Sequence, residues 1–150
     1  MPDINIIIVA DGSGGTYGGL YAANELSGCG KNIIGFNITD EEGSRENVIR
    51  VLKEGAEIGC LPYPIPISNI YQNYDYLGEG YGITSPELVT FIKQVAQTTG
   101  IIVDPVYTGK ALMGIVGEIS KRNPLIRGNV LFIHTGGQFG IFHQKELFFN

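Results

Sequence analysis

INIIIVADGSGGTYGGL, residues 4–20, runs from β-branched residues through a glycine-rich turn into a segment of small residues. Its first part, INIIIVA (4–10), is a continuous apolar run, the mark of a strand buried on both faces of a parallel sheet. Residues 9–20 then hold five glycines, one serine and one threonine. Glycine loses more backbone freedom on folding than any other residue, so such a cluster needs a reason. From Thr16 to Leu26, TYGGLYAANEL reads as a helix, which SGCGK breaks. Strand, glycine loop and helix N-terminus bring backbone N–H groups and the positive end of a helix dipole to one point, a geometry that suits a phosphate.

Outward from this unit the pattern repeats. NIIGFNI (32–38) is a second strand, and Ser44 can cap a helix over RENVIRVLKEGAEI, with Glu46 well placed in its first turn. Residues 61–83 hold three prolines and five tyrosines without clear periodicity; they read as a long loop with one short strand near 70–76. TSPELVTFIKQVAQTTG (84–100) has Thr84 or Ser85 as cap, Pro86 in the first turn, Glu87 completing a capping box and Gly100 as the stop. After the short apolar GIIVDP (100–105) a helix is expected from about Val106 to Arg122, ended by Asn123-Pro124, and NVLFIHTGG (129–137) is a last strand entering a second glycine loop, its VLFIHT run suited to burial on both faces. Strand and helix alternate, which predicts an α/β fold with an open, mostly parallel sheet and flanking helices, one domain over residues 1–150.

Composition narrows the classes of function. A chain that is 43% hydrophobic and 17% charged is globular, and 150 residues suffice for one domain with a real core. The net charge is −5, and the ten basic residues are scattered without a patch, so nucleic acid is not an expected partner. No apolar stretch approaches the roughly 20 residues of a membrane span. MPDINIIIVADG is too short and too acidic for a secretory signal. Cys29 and Cys60 belong to no CxxC motif and read as inert thiols. The expectation is a soluble cytoplasmic protein with no metal site.

Spacing excludes three familiar glycine motifs. GxGxxG fails because Gly12 and Gly14 are followed by Tyr17, and the second strand ends in Asn37 rather than an acid. GxxxxGK[ST] fails because Leu20 and Tyr21 follow Gly14 and Gly19. A GxSxG nucleophile elbow is absent. Two readings remain: a small phosphate held by Gly12 to Thr16, with the Ser13 and Thr16 hydroxyls as added donors, or a tight strand-to-helix turn with no ligand.

Three further stretches follow GSGGTYGGL in order: LGEGYGITSPE (77–87), DPVYTGKALMGIVGEISK (104–121) and LFIHTGGQFGIF (131–142). Together they resemble the C-terminal half of the pyridoxal-phosphate enzymes of the D-cysteine desulfhydrase and 1-aminocyclopropane-1-carboxylate (ACC) deaminase family, of tryptophan synthase β-like fold. The resemblance covers nearly the whole chain, and DPVYTGKA followed by HTGG is its most specific part. It implies that Gly12, Ser13, Gly14, Gly15 and Thr16 hold the phosphate of pyridoxal phosphate. It implies that Tyr81 and Tyr107 are the two active-site tyrosines, near the substrate's carboxylate and reacting carbons. A tyrosine beside a cationic cofactor–substrate adduct can have its ionised form favoured and so carry a proton. Eight tyrosines stand in the chain, and read without the resemblance these two simply pack. Thr108 and Thr135 match family positions around the pyridine ring, where the deaminase pattern has Glu and Leu and the desulfhydrase pattern Ser or Thr. A threonine hydroxyl makes a neutral hydrogen bond and stabilises a protonated ring less than a carboxylate does. That favours β-elimination of thiolate from D-cysteine, giving pyruvate, ammonia and hydrogen sulfide, over opening of the ACC cyclopropane.

Other conspicuous residues have plainer readings. His134 has no acid or nucleophile paired with it in sequence and reads as positional. Gly109, Gly114 and Gly117 run along one helix, each at about 1 kcal/mol relative to alanine, so close approach to sheet or cofactor is expected there. Glu79 and Glu118 read as solvated carboxylates. The resemblance also implies a Schiff-base lysine in a GGNK-like context in the N-terminal half, and none of the six lysines (31, 53, 93, 110, 121, 145) has that context. Lys110 matches a different family position. The chain therefore reads as the C-terminal portion of a larger enzyme, inactive alone, forming homo-oligomers or joining a complementing N-terminal half. Its small-molecule partner would be an amino acid. A non-catalytic phosphate- or cofactor-binding module and an ACC deaminase are the alternatives.

Overall fold

The computed structural model describes residues 3–39, 43–61 and 65–149. Along the chain run β1 (Ile6–Asp11), α1 (Gly15–Ser27), β2 (Asn32–Asn37), α2 (Ser44–Glu57), β3 (Tyr71–Asn73), α3 (Pro86–Thr99), α4 (Thr108–Ser120), β4 (Val130–Ile133), α5 (Gly140–His143) and α6 (Lys145–Phe148). The four strands form one sheet in the order β3-β2-β1-β4, every neighbouring pair parallel, as the apolar runs predict.

Side-chain alternation along β1 and β2 sorts the core into two layers. Ile6, Ile8 and Ala10 of β1, with Ile34 and Phe36 of β2, pack on Ala111 and Ile115 of α4. Val9 and Ile33 face the other way, onto Tyr17, Tyr21 and Ala22 of α1 and Val48 and Leu52 of α2. A third cluster joins α3, α4 and the C-terminal turn through Leu88, Ile92, Val103 and Phe148. Both faces of β1 are thus covered, which is why it tolerates no polar residue before Asp11.

Three local expectations are corrected. Ser44 does not cap α2: Gly43 takes the cap position at φ 88°, and the Ser44 hydroxyl instead accepts a hydrogen bond from Gln72 Nε2 at 3.0 Å. Alternation breaks between α3 and α4, because residues 101–104 form no strand; α3 and α4 pack on each other, and Val103 joins their cluster. β4 is not buried on both faces: Leu131 is 37% exposed, since β4 is a sheet edge paired only to β1. Other signals hold. Ser85 Oγ accepts from the Leu88 amide at 3.2 Å, Pro86 opens α3, and Gly100 ends it at φ 74°. The long loop carries one short strand, β3; its residues 62–64 lie outside those described. Among the described residues no helix is long and apolar enough to cross a membrane.

Candidate active site

β1 is the point where the chain order switches: β2 leaves on one side and β4 arrives on the other. In open α/β sheets the loops leaving such neighbouring strands diverge and leave a crevice at the carboxyl ends. Here that crevice is an open cavity of about 510 Å³. Its walls are the end of β1 with the turn into α1 (residues 10–16), Thr39 after β2, the loop Thr135–Gly137 after β4, and Tyr81 and Tyr107. Residues far apart in sequence meet there because the ends of β1, β2 and β4 and the start of α4 point to one place, and the loop between β3 and α3 brings Tyr81 to it.

The glycine loop is built for close approach. Gly14 has φ 84°, left-handed, and a Cβ there would sit 2.9 Å from the backbone nitrogen of Val48 in α2. Only glycine lets the loop rest on α2 in this way. Gly14 is also the N-cap of α1 and brings no side chain, so the first-turn amides are left to whatever occupies the cavity. Ser13 and Thr16 are exposed beside them. One residue that reading the sequence missed is Asp11, 2% exposed and lining the same cavity. Burial pushes its carboxyl above the ordinary range, opposed by hydrogen bonds from the Gln72 side chain and the Gly14 amide. The signal was available: an acid ending a strand that is otherwise wholly apolar.

Tyr81 and Tyr107 come together at the cavity mouth. Their hydroxyls hydrogen-bond directly, and the rings stand edge to face, centroids 5.9 Å apart. The Tyr81 hydroxyl, then partial burial, push the Tyr107 phenol up to about 12. In this arrangement Tyr107 holds its proton firmly, the opposite direction from an ionised phenol.

Tyr107 is anchored from behind by Asp104, 1% exposed, whose carboxylate accepts the amides of Val106, Tyr107 and Thr108 at 2.7–2.8 Å. Thr108, fully buried, completes this cap: its Oγ1 donates to Asp104 Oδ2 at 2.6 Å and accepts from the Asp104 amide at 3.0 Å. Thr108 therefore does not line the cavity, whereas Thr135 does. An Asp-Pro pair ahead of a helix favours a turn in which the Asp carboxylate takes the following amides, a signal that could have been read.

The remaining candidates fall outside the cavity. His134 Nδ1 accepts from the Gly136 amide at 3.1 Å, which leaves Nε2 to donate to the Ile102 carbonyl at 2.9 Å; the ring holds the Thr135–Gly137 loop in place, a positional role as expected. Gly114 and Gly117 are needed for approach, but of Phe36 and Tyr76 rather than of a ligand. Glu118 is not solvated. It is 4% exposed, accepts from Tyr76 Oη at 2.7 Å, from Lys121 Nζ at 2.9 Å and from Asn123 Nδ2, and these donors, Asn123 foremost, hold its carboxyl at about 2. Lys121 at i+3 was legible from spacing, but Tyr76 and Asn123 come from loops outside α4, which spacing along the helix does not reveal. Cys29 and Cys60 are exposed free thiols.

A family model for pyridoxal-phosphate dependent enzymes matches residues 1–136, from β1 through the loop after β4. The chain belongs to this family. Similar members include a mitochondrial bifunctional D-cysteine desulfhydrase/1-aminocyclopropane-1-carboxylate deaminase of Arabidopsis thaliana, 34% identical, aligned over 93% of this chain and 34% of that protein. Two proteins described as putative 1-aminocyclopropane-1-carboxylate deaminases are also similar. The one from Pyrococcus abyssi is 35% identical over 95% of this chain and 42% of its own length. The one from Thermotoga maritima is 38% identical over 97% and 45%. A crystal structure of an ACC deaminase homologue superposes with a TM-score of 0.81 at 33% identity, over 97% of this chain and 43% of that one. The parallel sheet and its helices are those of the ACC deaminase-like pyridoxal-phosphate fold. The chain spans less than half the length of these relatives.

The residues present fit a phosphoryl group. The loop is free of bulk at Gly12, Gly14 and Gly15, its helix start is uncapped by any side chain, and it opens into a cavity of small-molecule size. Among the described residues, no lysine lines that cavity.

Proposed function

We propose that this chain forms the phosphate-anchoring part of an enzyme that eliminates thiol from D-cysteine, with one water taken up and pyruvate, ammonia and hydrogen sulfide released. The observation that carries this reading is the meeting of the glycine loop, Tyr81, Tyr107 and Thr135 around one cavity. Pyridoxal phosphate, when bound, supplies the electron sink for the reaction. The chain's own part is binding and proton placement. Amides of the loop at the start of α1, with the Ser13 and Thr16 hydroxyls, offer donors to the phosphate at the positive end of the helix. A phenol at about 12 keeps its proton at neutral pH, so the tyrosine pair works as a donor. One hydroxyl donates within the pair and the other outward, toward the departing sulfur.

Thr135 contributes a neutral hydroxyl at the cavity wall, which supports loss of a good leaving group over ring opening. With no lysine lining the cavity among the described residues, the cofactor's anchoring amine comes in this reading from other polypeptide, bound at the open β4 edge of the sheet. The same absence of lysine favours a second reading, a cofactor-binding module without catalysis. The test is calorimetric titration of the pure chain with pyridoxal phosphate, followed by pyruvate assays on D-cysteine and ACC with and without a relative's N-terminal half. Binding by the chain alone, with D-cysteine turned over only after complementation, is expected. Turnover of ACC in place of D-cysteine would overturn the substrate assignment, binding without any turnover would leave the module, and failure to bind would overturn both.

A further inference from the structure

One face of α4 acts as a rail for the segment that carries Tyr81. Positions 107, 110, 114, 117 and 121 are spaced by three and four residues and so lie along a single face. At the far end the glycines admit Tyr76: a Cβ on Gly117 would come within 2.5 Å of the Tyr76 hydroxyl, which donates to Glu118. At the near end Tyr107 meets Tyr81. Between them Lys110, only 3% exposed, donates from Nζ to the carbonyls of Leu77 and Gly80, both at 2.7 Å.

Burying an ammonium is costly, and a methionine of similar length would fill the same space beside Leu88 and Met113 without that cost. What the charge adds is a grip on two carbonyls of a stretch with weak conformational preference of its own. Gly78, Gly80 and Gly82 all have positive φ, at 73°, 148° and 74°. The Gly80 carbonyl and the Tyr81 amide share one rigid peptide plane, so fixing the first fixes the entry of Tyr81 into the cavity mouth.

We infer that Lys110 is a positioning residue: by clamping the Gly80–Tyr81 peptide plane it keeps the Tyr81 phenol against Tyr107. The proposed function enters only by giving that phenol pair chemical work, and the test below requires neither cofactor nor turnover.

The experiment labels the tyrosine rings and follows, by NMR at pH 7, the ring-to-ring nuclear Overhauser cross-peaks between Tyr81 and Tyr107, assigned with Tyr81→Phe and Tyr107→Phe. In the unaltered chain the rings stand edge to face with centroids 5.9 Å apart, and cross-peaks are expected. In Lys110→Met they should weaken several-fold, while the cross-peaks of Tyr107 to its own helix α4 stay unchanged, which separates displacement of Tyr81 from a general loosening. A folded Lys110→Met chain that keeps the Tyr81–Tyr107 cross-peaks would overturn the inference. So would a Lys110→Met chain that does not fold, which would make the lysine a core residue. Failure of the unaltered chain to bind pyridoxal phosphate, or of the complemented chain to turn over D-cysteine, would refute the proposed function and leave the tyrosine result standing.

Discussion

Gly14→Ala should destabilise the fold by about 2–4 kcal/mol, whereas Gly15→Ala, one residue further on, should be close to neutral or slightly stabilising. Gly14 sits at φ 84°, where an L side chain costs roughly 1–2 kcal/mol. A Cβ there would lie 2.9 Å from Val48 N and 3.0 Å from Val48 Cα and the Asn47 carbonyl carbon. All three are backbone atoms of α2, and moving a packed helix adds roughly 1–3 kcal/mol. The loss of chain entropy in the unfolded state returns only about 0.4–1 kcal/mol. Gly15 has no positive φ, and its Cβ would meet nothing nearer than Ser13 Oγ at 3.8 Å. As a helix position it gains from alanine by up to about 1 kcal/mol. Urea unfolding of both variants reads the difference directly. Because relief of the clash lifts the loop from α2, Gly14→Ala should also weaken pyridoxal phosphate binding at least tenfold. Equal stability of the two variants, within about 0.5 kcal/mol, would refute the loop geometry.

Two carboxyls should show opposite pH signatures. Asp11 is raised by burial, so the folded state binds a proton more readily than the unfolded one, and its contribution to stability falls as pH rises above the unfolded value near 3.8. Asp11→Asn should therefore gain on the unaltered chain between pH 4 and 7 in urea unfolding; a gain that shrinks with rising pH would contradict the buried acid. Glu118 is held down at about 2, so its contribution is complete above the ordinary value of 4.5 and is lost as pH falls through 2. Glu118→Gln should be destabilised at pH 7 and level with the unaltered chain near pH 2, and a pH-independent difference would refute the donor network of Tyr76, Lys121 and Asn123.

Much of this architecture is legible without coordinates because its causes are local. The apolar runs at 4–10 and 32–38 can only be satisfied by burial on two faces, and they become β1 and β2. Ser85, Pro86 and Gly100 bound α3 through hydrogen bonds and φ values within a few residues of themselves. The glycines from 12 to 15, after a strand and before a helix, mark the turn into α1 for the same reason. The family resemblance, carried by LGEGYGITSPE, DPVYTGKA and HTGG, supplied Tyr81, Tyr107 and Thr135 as candidates, which spacing could not have joined.

What only the tertiary structure decided is whatever depends on partners distant in the chain. Asp11 becomes a buried acid because Gln72, 61 residues away, closes over it. Glu118 is held well below the ordinary carboxylate range by Asn123 and by Tyr76, the latter reaching it from 42 residues away. Lys110 leaves solvent because Leu77 and Gly80 fold across its helix, and Thr108 turns from the cavity because Asp104 holds its hydroxyl. A residue's charge state and direction are set by the atoms around it, and those atoms are chosen by the packing of the sheet and helices, not by the order of the letters. The sequence by itself determined where strands, helices and the glycine loop form; packing decided which polar side chains face the cavity and which are spent holding the walls.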